Sequence, residues 1–434
     1  MIEATECGSS NIQQFYRDAT VFITGGSGFL GKQLIEKLFR ATHISKCFVL
    51  LRCKKGKPIQ QRLTEMLQDP VSVNIIMHRF IINDMGSLIS TVDIIFHVAA
   101  TTRFNEPLRV STLINVRGTR EALILGKACK KLRSYVHVST AYSNACMNRI
   151  NTEVLEDFYK SPVEPNTMIE LVETTDEEIL NDITVSLIKN WPNTYSFTKA
   201  IAEGMVSIMM HDLPICIVRP AIVVCAQREP NPGWLDISNV YGAGGVRIVL
   251  NLKLSCFIFH SCFIRLNYTK IQKSIHNPML FWLYSWFYHL LPAYFMDAIC
   301  LILGKQRRFV KIYSKIYNMS TALSYFSLNN WQFVDKNTAK LYDSLSTVDQ
   351  EIFNFDVKKI DWQEYVTMFC IGLRKYIIKD GLKDTRYAQK KQFVFKILNC
   401  ILMLLYSYCL FKILYLAIFI LSLIIRLFGS FFSF

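Results

Sequence analysis

Val21-Phe-Ile-Thr-Gly-Gly-Ser-Gly-Phe-Leu-Gly-Lys32 limits the folds open to this chain more than any other stretch. Val21, Phe22 and Ile23 are β-formers suited to a buried strand, and Gly25, Gly28 and Gly31 follow at intervals of three. From Phe29 the apolar spacing turns helical through Leu30, Leu34, Ile35 and Leu38. A strand, a glycine turn and a helix N-terminus make an anion site, because free backbone N–H groups and the helix dipole converge there. The bare glycines let a pyrophosphate approach the backbone and let helix and strand pack closely. This predicts a dinucleotide-binding α/β fold.

Alternating segments downstream extend that fold. Cys47 to Leu51 reads as a second strand, and its end faces the adenosine ribose in a dinucleotide fold. Arg52, Lys54 and Lys55 fill the place where an acidic residue would bind a 2′-hydroxyl, which favours NADP over NAD. Ile75 to Ile82 is another apolar run, ending at Asn83-Asp84. Asp93-Ile-Ile-Phe-His-Val-Ala-Ala-Thr101 reads as a buried strand whose small last residues, Ala99, Ala100 and Thr101, leave room for a cofactor. Leu113 to Lys130 reads as a helix, Tyr135 to Thr140 as a strand and Leu213 to Pro220 as a late strand. Residues 151–190 are acidic and weakly patterned, the mark of a surface insertion. The alternation predicts a Rossmann-type, doubly wound parallel sheet.

Tyr195 and Lys199, four apart at the start of a helical stretch, share one helix face. A tyrosine with a pKa near 10 is a poor acid–base group at neutral pH. A neighbouring ammonium favours its phenolate and lowers that value. Tyr195 then protonates a carbonyl oxygen as hydride reaches the carbon, while Thr140 or Ser139 holds that oxygen. His137 is read as buried packing without a role.

The chain of 434 residues carries a formal charge of +15, spread along its length, which fits an anionic membrane face or a phosphate-rich ligand rather than nucleic acid. Thirteen cysteines with no Cys-x-x-Cys pair argue against a zinc site or a disulfide framework, and no metal is expected. The polar residues before Val21 form no signal peptide, so the Asn267 and Asn318 sequons are expected to stay unused. Ile397 to Ile425 is almost wholly apolar apart from Lys412, and a bilayer core needs about 20 such residues. It spans once, or forms a re-entrant pair with Lys412 snorkelling. Lys390, Lys391 and Lys396 before it predict a folded part facing the cytosol.

The order Thr24–Gly31, Val136–Asn144, Tyr195-Ser-Phe-Thr-Lys199 and Ile217-Val-Arg-Pro220 resembles the extended short-chain dehydrogenase/reductases. More narrowly, Ile95 to Leu108, Asn115-Val-Arg-Gly-Thr119, His289 to Tyr294 and the stretch from Trp331 to Tyr376 resemble animal fatty acyl-CoA reductases, especially the insect type. The resemblance implies reduction of a long-chain acyl-CoA by two NADPH, through an aldehyde, to a primary alcohol. It implies Gly25, Gly28, Phe29, Leu30 and Gly31 at the pyrophosphate, Arg52 and Lys55 at the 2′-phosphate, and Ala99, Ala100 and Thr101 at the ribose. Asp84 is matched to an adenine contact, Pro220 joins the cofactor residues, and Thr140, Tyr195 and Lys199 are the implied catalytic trio. An endoplasmic reticulum or peroxisomal membrane is the expected location.

The implied organisation is a reductase domain over 1–250, an atypical insertion over 251–278, a helical C-terminal domain over 279–390 and a membrane anchor over 397–425. The likeness thins between Pro70 and Asp93, and it breaks off after Tyr241-Gly-Ala-Gly-Gly-Val-Arg247 until near Pro278. Lost sheet edge and pocket wall there keep a catalytically impaired NADP-binding or scaffold homologue open as an alternative. A sterol or nucleotide-sugar member of the superfamily is a second alternative, against which the Trp331 to Tyr376 region argues.

Overall fold

A computed structural model describes residues 10–52, 56–68, 85–236, 278–286 and 290–379, with scattered helical positions between 397 and 420. Lys55, Asp84, the Ile75–Ile82 run, Tyr241–Arg247 and Asn251–Ser274 lie outside the described residues. The chain divides into two compact units, one of Met1–Ala243 with Asn318–Ile377 and one of Gly244–Tyr317 with Ile378–Phe434.

The first unit is built on a parallel sheet, as the alternation of segments predicts. Its strands are β1 (Thr20–Thr24), β2 (Lys46–Leu50), β3 (Ile94–His97), β4 (Ser134–Val138) and, after a short β5 (Glu153–Val154), β6 (Ile215–Val218). Their order is β2-β1-β3-β4-β6, with every neighbouring pair parallel. Strands covered by helices on both faces read as continuous apolar runs, and β1 and β3 show why. Val21, Ile23, Ile94 and Phe96 enter one core with Ile35 and Leu38 of the helix Phe29–Ala41. Phe22 and Ile95 enter the opposite core with Leu123, Phe197 and Ile201. The chain runs from β1 to β2 on one side and on to β3 on the other, so a crevice opens beyond the carboxyl ends of β1 and β3.

Residues 151–190 are not the surface insertion that their acidity predicts. They hold β5 and the helices Pro165–Thr174 and Glu177–Leu187, and Met168, Ile169, Val172 and Leu180 are fully buried in the core. Polar outer faces mask this narrow apolar stripe. The helix predicted over Leu113 to Lys130 opens instead as a π-helical turn, Leu113–Arg117, before the α-helix Gly118–Ala128. The 318–377 segment adds β7 (Gln332–Phe333), which pairs in parallel with β5. It also brings Tyr365, whose hydroxyl donates to Cys225 O at 3.1 Å.

In the second unit, Asp297 of the helix Leu291–Ile302 accepts N–H bonds from Arg308, Phe309 and Val310 at 2.9, 2.9 and 3.0 Å. These bonds satisfy the open donors at the start of the helix Phe309–Leu328. Leu301, Ile302 and Leu303 stand exposed just before Lys305, Arg307 and Arg308. Among the described residues no helix is long and apolar enough to cross a membrane.

Candidate active site

The glycine turn sits where β1 ends. Gly25 adopts φ 74°, a conformation that L side chains rarely take, and Gly28 N donates to Gly25 O at 2.9 Å. A Cβ on Gly31 would come within 2.4 Å of Gly25 O and 2.5 Å of Gly26 Cα, so only a glycine lets the helix Phe29–Ala41 start this close to the strand. Gly28 precedes that helix, whose first-turn N–H groups have no carbonyl of their own helix to bond. The Phe29 ring stacks on Trp234 at 4.5 Å and 6°, with Leu30 packed against the same cluster, so these two can offer a ligand backbone N–H groups while their side chains wall the loop.

Arg52 lies exposed past the end of β2. A second cation sits closer to the glycine turn: Arg62 donates through Nη2 to Ser27 Oγ at 2.7 Å and through Nη1 to Arg52 O. Nothing in the local sequence marks Arg62, because its helix Ile59–Leu67 lies away from every motif.

A polar chain ties the end of β1 to the end of β3 and then to the helix Thr194–Met209. Ala99 N donates to Thr24 Oγ1 at 3.2 Å, and Thr24 Oγ1 lies 2.9 Å from His97 Nδ1. His97 Nε2 lies 3.1 Å from Thr119 Oγ1, which donates to Asn115 O at 2.6 Å. A neutral ring protonated on Nε2 satisfies all of these partners. Burial, and secondarily the Lys199 charge, keep His97 neutral by lowering its pKa to about 3. Asn115, in the π-helical turn, accepts from Thr101 N at 2.9 Å and donates to Thr198 Oγ1 at 3.0 Å. Ala99 and Ala100, partly exposed beside buried Thr101, line this strand end.

The helix Thr194–Met209 carries the predicted pair. Asn193 caps it, accepting from Ser196 N at 2.9 Å, and Tyr195, Lys199 and Glu203 fall on one face. The Tyr195 hydroxyl lies close enough to Thr140, just beyond the end of β4, for the threonine to favour its ionised form. Thr140 Oγ1 accepts from Tyr142 N at 3.3 Å and donates to Pro220 O at 3.4 Å, which places Pro220 beside Thr140. Lys199 is only 2% exposed and donates to Val138 O at 2.8 Å.

Two electrostatic results follow from burial. It lowers Lys199 to about 8, against the opposing pull of the Glu203 charge. It raises Tyr195 to about 12, offset in part by Thr140. The lowering of the tyrosine expected from Lys199 is therefore not seen; desolvation is the larger effect.

Glu203 has no counterpart among the predicted site residues. Buried to 3% exposure, its carboxylate accepts from Ser139 Oγ at 2.5 Å, Ser143 Oγ at 2.8 Å and Asn144 Nδ2 at 3.0 Å. Arg219 adds bonds from Nε at 3.0 Å and Nη2 at 2.9 Å. Its spacing of four from Lys199 is the one sequence signal that could have found it.

A cluster of aromatic rings starts beside the tyrosine. Phe104 lies 6.0 Å from the Tyr195 ring and 5.4 Å from Phe326, while Tyr142 meets Phe326 at 4.9 Å and Phe333 at 5.2 Å edge-on. The turns after β3 and β4 supply Phe104 and Tyr142, and the 318–377 segment supplies Phe326 and Phe333.

Comparison with known proteins adds findings of three kinds. A family profile described as "Male sterility protein", with an NAD-binding part, matches residues 23–261, and a second profile of the same description matches residues 288–380. "Fatty acyl-CoA reductase wat" of Drosophila melanogaster is 33% identical over 90% of this chain and 90% of its own length. "Fatty acyl-CoA reductase 2" of Homo sapiens is 30% identical over 88% of this chain and 89% of its own. Among solved structures, the terminal R domain from the myxalamid PKS-NRPS biosynthetic pathway is 16% identical, covering 85% of this chain and 92% of that one at a TM-score of 0.47.

Proposed function

The chain belongs to the fatty acyl-CoA reductase family of oxidoreductases, and on that premise we propose that it reduces a long-chain acyl-CoA through an aldehyde to a primary alcohol with NADPH. The observation that carries this reading is Tyr195 set beside Thr140, one helical turn from buried Lys199.

The strand-end cradle of Gly25, Gly28 and Gly31 fits a dinucleotide, because the glycines leave the backbone bare and the first-turn N–H groups after Gly28 have no carbonyl of their own helix to bond. Bound NADPH supplies the hydride. Basic Arg52 and Arg62 near the cradle favour the 2′-phosphate form. Thr140 orients the substrate carbonyl oxygen, and Tyr195 donates the proton that this oxygen needs as it gains charge. A hydroxyl with a pKa raised to about 12 holds its proton until that moment. Lys199, as an ammonium, offers donors to the cofactor ribose and stabilises the tyrosinate left behind. The rings of Phe104, Tyr142, Phe326 and Phe333 support an apolar acyl substrate.

A bilayer is the proposed source of that chain. The apolar run Ile397–Ile425 supports anchoring in an endoplasmic reticulum or peroxisomal membrane, with the reductase unit in the cytosol. Exposed Leu301–Leu303 before Lys305, Arg307 and Arg308 support a further lipid-facing surface.

The test is NADPH oxidation by the purified full chain in detergent with palmitoyl-CoA, with the alcohol identified by gas chromatography. Tyr195→Phe is expected to lose roughly 100-fold or more in kcat while keeping its NADPH affinity. Wild-type protein that consumes no NADPH with any acyl-CoA or fatty aldehyde overturns the reading. Tight NADPH binding without turnover supports the impaired homologue instead.

A further inference from the structure

We propose that Glu203 is the positioning residue of this site, holding the turn that carries Thr140 and Lys199 in one fixed relation. The inference rests on the carbonyl-reducing reading above, and its geometry comes from the contacts of one side chain.

Three elements meet on the Glu203 carboxylate. From the turn after β4 come Ser139, Ser143 and Asn144, and the two serines bracket Thr140 in the chain. From the end of β6 comes Arg219, whose guanidinium makes two bonds to the carboxylate. That guanidinium also donates to Leu155 O at 3.0 Å and Asp157 O at 2.7 Å. Glu203 itself rides on the helix that presents Tyr195 and Lys199. Five donors on one buried carboxylate tie the two halves of the proton-transfer machinery together.

The charge matters as well as the bonds. A glutamine has one acceptor oxygen and two donor hydrogens, so it cannot receive all five donors and would turn an N–H group toward some of them. Arg219, partly buried, would lose the anion it pairs with. The charges and titratable groups bearing on Lys199 are Glu203 and Tyr195 from its own helix, His97 from β3 and His137 from β4. Glu203 is the anion among them, so its removal makes the Lys199 ammonium easier to deprotonate.

Glu203→Gln in the full chain tests the proposal by three readouts. Amide hydrogen exchange over 139–144 is expected to speed up while β1 and β3 keep their protection. With palmitoyl-CoA and NADPH, kcat is expected to fall roughly 100-fold, the cost of a misplaced catalytic group, with NADPH affinity little changed. The alkaline limb of the residual kcat profile is expected to move to lower pH. Ser143→Ala removes one of the five bonds with little change in shape, and it is expected to lower kcat about 5-fold without moving that limb. If exchange over 139–144 is unchanged in both variants, the proposal is overturned whether or not the wild type turns over acyl-CoA. A normal kcat in Glu203→Gln overturns it too. An inactive wild type with the exchange effect intact instead refutes the acyl-CoA reading alone.

Discussion

His137 sits on β4, beside the central strand β3, with both ring nitrogens buried and, among the described residues, without a hydrogen-bond partner. Its ring stacks on His97 at 5.4 Å and 23°, the two being register partners on β4 and β3. Burial comes first and the Lys199 charge second in holding it neutral well below the ordinary histidine range. Above about pH 6.5 both folded and unfolded states are neutral, so the ring has no effect on the pH dependence of stability. As pH falls below that value the unfolded chain takes a proton and the folded one refuses it. Stability then declines by about 1.4 kcal/mol per pH unit for each such histidine, toward about pH 3 for His97. His137→Leu removes two unsatisfied buried nitrogens and is expected to be neutral or stabilising at pH 7.5. The variant should also lose stability less steeply than wild type between pH 6.5 and 5, measured by denaturant melts. The packing role of His137 was legible from the sequence. Its stacked partner and its orphaned nitrogens were not, since both depend on the neighbouring strand.

At the scale of elements, local signals carried furthest. The unit of β1, glycine turn and helix follows from a dozen contiguous residues whose strand period, glycine spacing and helix period agree. Gly31→Ala should test its tightness. The added methyl meets the backbone of Gly25 and Gly26, which cannot swing aside, so a loss of about 1–3 kcal/mol is expected. Thermal melts and a calorimetric NADPH titration should show both the destabilisation and weaker binding. Non-local features escaped the sequence reading. The π-helical turn that aims Asn115 at Thr101 and Thr198 is fixed by contacts from two other elements. The helices of 151–190 hide a few buried residues among acidic ones, and Arg62 reaches Ser27 from a helix with no motif. The aromatic wall is of the same kind, since Phe326 comes from a helix far along the chain from Tyr142. Phe326→Ala is expected to lower kcat/KM for a long-chain acyl-CoA roughly 10-fold and for a short-chain one much less, because it removes apolar contact rather than a catalytic group. A substrate panel of graded chain length reads the difference.

At the scale of the whole molecule, residues 318–377 belong to the same compact unit as residues 1–243. Besides β7 on β5, Ser10 donates to Asp349, Lys37 donates to Ile352 O, and Tyr365 exchanges hydrogen bonds with Cys225. A chain cut after residue 243 would leave these partners and the Phe326 and Phe333 sites uncovered. It is expected to be insoluble or to bind NADPH far more weakly than the full chain, as sedimentation and calorimetry would show.

The discontinuity of that unit has a consequence for inheritance. The chain leaves it near Ala243 and rejoins it at Asn318, so everything between is spliced into an excursion with both ends anchored in one body. Gains and losses of sequence inside such an excursion change the length of a detour and leave the register of β1 to β6 as it was. Sequence change confined to that stretch therefore leaves Thr140, Tyr195 and Lys199 within the first unit untouched.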